Sequence, residues 1–340
     1  MMSESPFRID IEERSAGGLR VPVYILHDTQ GSVRAEVWPA NGFNLLRWQT
    51  GSANGWQDWL FASPEWEANP VPSRSGFPIL FPFPNRIRDG RFVFKGREYQ
   101  LPKNDSTSKN GIHGMAPRRP WEIVSTSVAD DHAVITGRFS LSPMLMGPEW
   151  NWPGQGTLTI RYELTRTTLH MSIVVENTGH DDLPFGLGFH PYFRHPDAVD
   201  GSINNVTLIA PTQTLWETHD GLPTGRKVPA PSELQFGADA PIGTRTADTL
   251  YADVRPTNDR ETFFGELSVP NASRKLTMTT STNFRDLVLF TPVHRQAVCI
   301  EPYTCATDAV HLQEQGIDAG WLVLPAGRTW EGWVRLHINQ

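Results

Sequence analysis

The sequence predicts an all-β fold, a large antiparallel β-sandwich with few short helices. Three observations carry this. Apolar and polar residues alternate at period two in one short segment after another, the pattern of strands with one buried face. The 340 residues hold 28 glycines and 28 prolines, spread so that few stretches run long without a break. Sustained helical periodicity is scarce, and the best short helical run is Ala309-Val-His-Leu-Gln-Glu-Gln315.

In chain order, Tyr24-Ile-Leu26 and Val33–Trp38 read as paired strands. Ala40–Trp48 reads as a third, after a turn at Asn41-Gly42. Residues 51–75, rich in Gly, Ser, Pro and Trp, are expected to form a long surface loop. Asp89-Gly90 and Lys95-Gly96 are expected as hairpin turns on either side of Arg91–Phe94. Alternation continues in Ala133–Leu141, Thr157–Leu164, Thr168–Glu176, Lys275–Thr279, Leu287–Phe290, Ala297–Ile300 and Trp330–Ile338. Residues 211–247, rich in Pro, Thr and Gly, read as an inserted loop. No repeat and no dividing linker is visible, so residues 1–340 are expected to form one domain.

Composition narrows the function. Hydrophobic content of 39% supports a real core. A net charge of −7 argues against nucleic acid as the main partner. No apolar run approaches the roughly 20 residues that span a membrane, and no signal peptide is visible. Two cysteines, Cys299 and Cys305, are too few for a disulfide framework or a cysteine zinc site. A reduced, cytoplasmic setting is expected.

The chain is organised around Phe185-Gly-Leu-Gly-Phe-His-Pro-Tyr-Phe193, an apolar strand that delivers His190 and is stopped by Pro191. Gly186 and Gly188 remove side chains beside the histidine, which suits a pocket wall approached by another molecule. A packed core histidine at a strand end is the competing reading. Glu301 repeats the arrangement, ending Ala297-Val-Cys-Ile300 before Pro302. A carboxylate among apolar strand residues is costly unless it faces a wet site or a partner, so a salt-bridged structural glutamate is the alternative. Cys299 shares its parity and should face the same side. In Gly76–Phe92, prolines at 78, 82 and 84 forbid a regular central strand, and Arg86 follows an apolar run, placed to reach a cleft or to tie down its own loop. His113 lies in the cramped run Gly111-Ile-His-Gly114.

Asn-Arg-Ile at 85–87, Gly-Arg-Phe-x-Phe-x-Gly at 90–96, His113-Gly114, Gly188–Phe193, Asp248 and Cys299-Ile-Glu-Pro302 occur in an order that resembles the aldose 1-epimerase (galactose mutarotase) family. The resemblance covers almost the whole chain. It implies a β-sandwich whose concave face holds a monosaccharide, with neither metal nor organic cofactor. On the matched positions it implies Glu301 as catalytic base and His190 as catalytic acid, with His113, Arg86 and Asp248 holding the sugar. The chain would act as a monomer or homodimer. Arg194 departs from the pattern, which often has asparagine there.

Interconverting anomers requires a proton taken from the C1 hydroxyl and one given to the ring oxygen, so one base and one acid suffice. An ionised Glu301 facing a protonated His190 is the expected active form, active between the two ionisations. No close His-x-His or His-Glu-x-x-His spacing suggests a metal site. A glycosidase would need a second carboxylate flanking the bond, which Glu301 lacks in the sequence reading. Two alternatives stay open. Nine basic residues between Arg86 and Arg119 could serve a hexose-6-phosphate epimerase, and the scaffold could support a non-catalytic sugar binder. The tryptophans, among them Trp56, Trp59, Trp66, Trp150 and Trp152, could stack on sugar faces, but most are expected as core or loop anchors.

Overall fold

The computed structural model describes residues 5–53, 55–142, 149–238 and 240–339. Two large antiparallel sheets build most of it. The first runs Glu122–Val128, Ala133–Leu141, Gly156–Leu164, Thr168–Asn177, Thr329–Asn339, Lys275–Thr280, Thr262–Ser268, Thr207–Ile209. The second runs Leu222–Pro229, Thr214–His219, Asp248–Ala252, Asp286–Phe290, Val298–Tyr303, Gly188–Phe189, Ile79–Leu80, with Tyr192–Phe193 also paired to Val298–Tyr303. A five-stranded antiparallel sheet over residues 7–58 stands beside them, and the helix Ala309–Glu314 lies where its period predicted it.

The alternation seen in the sequence sets how the first sheet packs. In Gly156–Leu164 every second residue is buried, which leaves one face to the core and one toward solvent. The second sheet behaves differently. All six residues of Val298–Tyr303 are buried, because even-numbered Val298 and Ile300 join the core while odd-numbered Cys299 and Glu301 face the opposite side. That opposite side carries the candidate site.

Four local expectations are corrected. Residues 51–75 are not simply a surface loop: Gly55–Asp58 pairs with Asn44–Ser52 as the last strand of the five-stranded sheet, and Trp59, Leu60, Phe61 and Trp66 are buried. Residues 211–247 contain the hairpin Thr214–His219/Leu222–Pro229, an edge of the second sheet. Its turn, Asp220-Gly221, has both residues at positive φ, the geometry that Asp-Gly favours. Asp89-Gly90 is not a hairpin turn, because Arg86–Ile87 pairs with Gly111–Ile112 and only Lys95-Gly96 closes the Arg91–Phe94 hairpin. Pro302 does not stop its strand. It costs the ladder one donor, and the register holds around it, with Glu301 opposite Val288 and Tyr303 opposite Asp286.

Candidate active site

The two strands flanking His190 explain its position. Gly188 is opposite Tyr303, and Tyr192 is opposite Cys299. The same register puts His190 opposite Glu301, at the point where Pro191 interrupts the strand. His190 Nε2 lies 3.3 Å from Glu301 Oε1. At the break the His190 backbone N–H donates to the Pro78 carbonyl at 3.0 Å, while the pairs on both sides hold the residue in line.

Burial of this pair is severe: relative exposure is 7% for His190 and 1% for Glu301. The Tyr303 hydroxyl donates to Glu301 Oε2 at 2.6 Å. Glu301 Oε1 and His190 Nδ1 have no hydrogen-bond partner among the described residues, so both groups keep a free valence for a ligand. Tyr192 stacks on the imidazole, ring centroids 4.8 Å apart and planes 7° from parallel. His113, whose backbone is at positive φ, stands edge-on at 5.5 Å, and its Nδ1 is also unpartnered.

All five residues expected from the sequence, Arg86, His113, His190, Asp248 and Glu301, line one cavity of about 1010 Å³. Asp248 begins its strand opposite Phe290 and is exposed to the cavity. Arg86 is half-buried, 3.7 Å from Asp105 and hydrogen-bonded to Asn85 Oδ1 at 3.1 Å. Burial pushes the Asp105 carboxyl up, but donors from Asn110, Thr107 and Lys109 outweigh it and hold the group at about 2. It is therefore a fixed anion that orients the guanidinium.

Burial acts against the charged form of both groups. Burial pushes Glu301 well above the usual carboxyl range; the Tyr303 hydrogen bond opposes this, the Asp248 charge adds to it, and Arg86 opposes it. Burial also lowers His190 to about 4 and holds His113 well below its ordinary value. Two charges would be costly this deep, so burial favours a carboxyl facing a neutral imidazole. The proton count is the same as for carboxylate and imidazolium. Only its position across the 3.3 Å gap has changed.

Several site features escaped the sequence reading. Phe61, Ser63, Val71, Ser73 and Arg74, all from residues 51–75, form one wall, and Phe61 stacks on His294 at 4.4 Å. Tyr303 could have been found, since it continues the parity of Cys299 and Glu301. Asp105 could have been found from Asp105-Ser-Thr-Ser-Lys-Asn110, a run suited to side-chain–backbone turns. His190, Cys299 and Glu301 bring N, S and O donors within 4.8 Å of one another, a cluster that sequence spacing did not announce because it spans two strands.

Other expectations change meaning. The space beside Gly186 and Gly188 is filled by protein: a Cβ would lie 2.4 Å from Cys305 Sγ at Gly186, and 2.4 Å from the Tyr303 ring at Gly188. These glycines admit neighbouring strands rather than a ligand. Of the nine basic residues between 86 and 119, only Arg86 and Arg118 line the cavity. Arg88 pairs with Asp308, Arg91 with Glu98, Lys95 with Asp182 and Arg119 with Glu149. Trp59, Trp66, Trp150 and Trp152 are buried, as expected of anchors, whereas Trp56 is 41% exposed, its ring covered by the Arg34 guanidinium at 4.4 Å, and none of the five lines the cavity. Arg194 lies outside the cavity lining, its guanidinium beside Gly201. Among the described residues, no helix is long and apolar enough to cross a membrane.

Comparison with known proteins agrees with this architecture. A galactose mutarotase-like protein from Clostridium acetobutylicum superposes with a TM-score of 0.83 at 20% identity, over 98% of this chain and 99% of that one. Galactose 1-epimerase from Lactobacillus acidophilus gives 0.71 at 17% identity, over 98% and 99%. These likenesses show the fold. Among curated sequences, the uncharacterized protein YihR of Escherichia coli (strain K12) is 24% identical over 254 residues, covering 74% of this chain and 75% of its own length. YphB of the same organism, also uncharacterized, is 33% identical over 180 residues, and the match spans 52% of this chain and 55% of YphB. The aldose 1-epimerase family matches residues 29–337, a span that takes in every residue placed in the cavity above. The chain belongs to the aldose 1-epimerase family.

Proposed function

We propose that the protein interconverts the α and β anomers of an aldohexose, with Glu301 as general base and His190 as general acid. The observation that carries this reading is the buried pair itself: two titratable groups 3.3 Å apart on the cavity wall, each with an unpartnered atom. A pocket that only held a sugar would gain nothing from burying an ionisable pair, and its cost would remain.

The chemistry follows from one proton. A C1 hydroxyl donating to Glu301 favours the carboxylate, because a hydrogen bond to the charged form stabilises it. The pair's proton then resides on His190. Glu301 removes the hydroxyl proton as His190 protonates the ring oxygen, the C1–O5 bond breaks, and C1 becomes an aldehyde. Rotation about C1–C2 presents the other carbonyl face. Closure reverses both transfers, so the pair finishes with the proton it began with. His113, kept neutral, can accept or donate to a sugar hydroxyl, while Arg86 and Asp248 supply a donor and an acceptor at the two sides of the ring.

The test is polarimetry of freshly dissolved α-anomers, with exchange-NMR as a second readout. Anomer exchange must exceed the uncatalysed rate in proportion to enzyme concentration. Sugar binding without acceleration would leave a binding protein on this fold and end the enzymatic reading.

A further inference from the structure

We propose that Tyr303 is a positioning residue for the base: its hydroxyl holds Glu301 Oε2, which reserves Oε1 for the sugar's C1 hydroxyl and supports the carboxylate from which proton removal starts. This rests on the reading of Glu301 as general base.

Geometry divides the carboxyl into two unlike oxygens. Oε2 accepts from the Tyr303 hydroxyl at 2.6 Å, within the ~2.5–2.7 Å range of O–H···O⁻ bonds. Oε1 faces His190 Nε2 at 3.3 Å and has no hydrogen-bond partner. Among the described residues, Tyr303 is the one hydrogen-bond donor to Glu301. The other ionisable groups that face the carboxyl are His190, Cys299 on the same strand face, Tyr192, and Asp248 and Arg86 on the cavity wall. A carboxyl free to turn about its last bond would offer either oxygen. One held at Oε2 presents the same oxygen at every turnover.

The hydroxyl's direction is fixed as well. The Asn85 side chain also hydrogen-bonds to the Tyr303 phenol, and Asn85 Oδ1 accepts from Arg86 Nη1 at 3.1 Å. With that oxygen taken, the amide N–H reaches the phenol, and the phenol's single proton is left for Glu301. Asn85 is itself held by its backbone carbonyl, which accepts from the His113 N–H at 2.8 Å. Base, phenol, amide and Arg86 thus form one hydrogen-bonded series, from the group that takes the proton to a group proposed to hold the sugar. The phenol ring is buried, its residue opposite Gly188 on one strand and Asp286 on the other. A Cβ at Gly188 would lie 2.4 Å from the ring, so the glycine two residues before His190 leaves the space that Tyr303 fills. Tyr303 does not line the cavity, which separates its role from sugar contact.

Hydrogen bonds to an ionised acceptor are roughly twice as strong as neutral ones, so the phenol favours the carboxylate against the burial that opposes it. Two states of the pair contain that carboxylate. One, with imidazolium, begins ring opening; the other, with no proton on either group, ends activity at high pH. The experiment measures kcat and KM for anomer exchange of α-D-glucose and α-D-galactose against pH in the parent, Tyr303→Phe and Tyr303→3-fluorotyrosine, whose phenol is the stronger donor. Loss of the hydroxyl should lower kcat near neutrality roughly 10- to 100-fold with KM within about threefold, and should move the alkaline limb of kcat/KM up by roughly one pH unit or more. The stronger donor should move that limb the opposite way. A purely structural role would scale activity at all pH values and leave the limb in place. That result, or a raised KM with kcat retained, would overturn this inference while the base assignment stands. The fluorinated variant keeps the same contacts, so an unmoved limb there overturns it even where Tyr303→Phe fails to fold. No anomer exchange by the parent on either sugar would remove the base and this inference together.

Discussion

Replacing Glu301 by Gln tests the proposed base with little risk to the fold. The side chain is 1% exposed, and one oxygen accepts the Tyr303 hydroxyl at 2.6 Å. Glutamine keeps the volume and presents an amide oxygen to the same hydroxyl. Its amide nitrogen then faces His190 Nε2, to which it can donate, so the imidazole stays neutral with no mobile proton between the two groups. The variant loses the base and the shared proton together. A general base contributes roughly 10²–10⁴-fold, equivalent to about 2.7–5.5 kcal/mol of barrier at about 1.36 kcal/mol per decade. Expected is a loss of that size in kcat, with sugar affinity within a few-fold. Thermal stability should hold or rise, because a buried ionisable group gives way to a neutral isostere. The assay is polarimetric kcat and KM beside a melting curve and a direct sugar-binding measurement. A folded, sugar-binding Glu301→Gln variant that keeps kcat within about tenfold of the parent would refute the assignment.

Other perturbations follow from the same geometry. His190 is held at about 4 in the folded chain, below its ordinary value, so the unfolded chain takes up that proton first and stability falls as pH drops from about 6.5 to about 4. In His190→Asn this slope, up to about 1.4 kcal/mol per pH unit, should disappear, and melting curves of parent and variant between pH 7 and 4.5 must converge on the acid side. Arg86→Ala and Asp248→Ala should raise KM roughly tenfold or more with a smaller effect on kcat, and unchanged kinetics in both would place the sugar elsewhere. Asp286 is buried away from the cavity lining, and burial raises it to about 7 despite a Trp216 N–H donated at 2.8 Å. A raised carboxyl is neutral in the fold while the unfolded chain ionises, so stability falls as pH climbs from about 4 to about 7. Asp286→Asn should match the parent near pH 4 and exceed its melting temperature at pH 8; a lower melting temperature at pH 8 would count against this account.

The fold was legible because period-two alternation is a local property. Gly156–Leu164 and Thr168–Asn177 each show their buried face in nine or ten consecutive residues. Residues 51–75 and 211–247 were harder to read because glycine and proline mark turns without saying how little chain separates them. Asp220-Gly221 closes a hairpin, and the buried Trp59-Leu60-Phe61 run sits among residues that read as loop. Each candidate site residue could be named from its own motif, but a sequence does not carry distance. That His190 faces Glu301 depends on cross-strand register, and that the turns Pro72–Arg74 and Ala116–Arg118 line one cavity depends on segments more than forty positions apart packing together. Protonation was the least legible feature. It is set by how completely the pair is buried, which no local pattern encodes.

That burial bears on how the proposed acid and base would work together. Their separation is set by two strands paired on both sides of the break at Pro191, with Gly188 opposite Tyr303 and Tyr192 opposite Cys299, so it does not depend on a mobile loop. Burial favours neutral forms of both groups, so the pair carries one proton over the range between the His190 value near 4 and the raised value of Glu301. The two placements of that proton are the two ends of the proposed chemical step: imidazolium with carboxylate before ring opening, imidazole with carboxyl after it. Burial favours the second, and a hydrogen bond from the C1 hydroxyl would favour the first. Opposed preferences bring the two placements closer in energy once the sugar is bound, which is what a reversible reaction between anomers of similar stability requires of its catalyst. Neither direction then needs a proton from solvent, and the water-poor setting that shifts both groups also strengthens the hydrogen bonds through which they act.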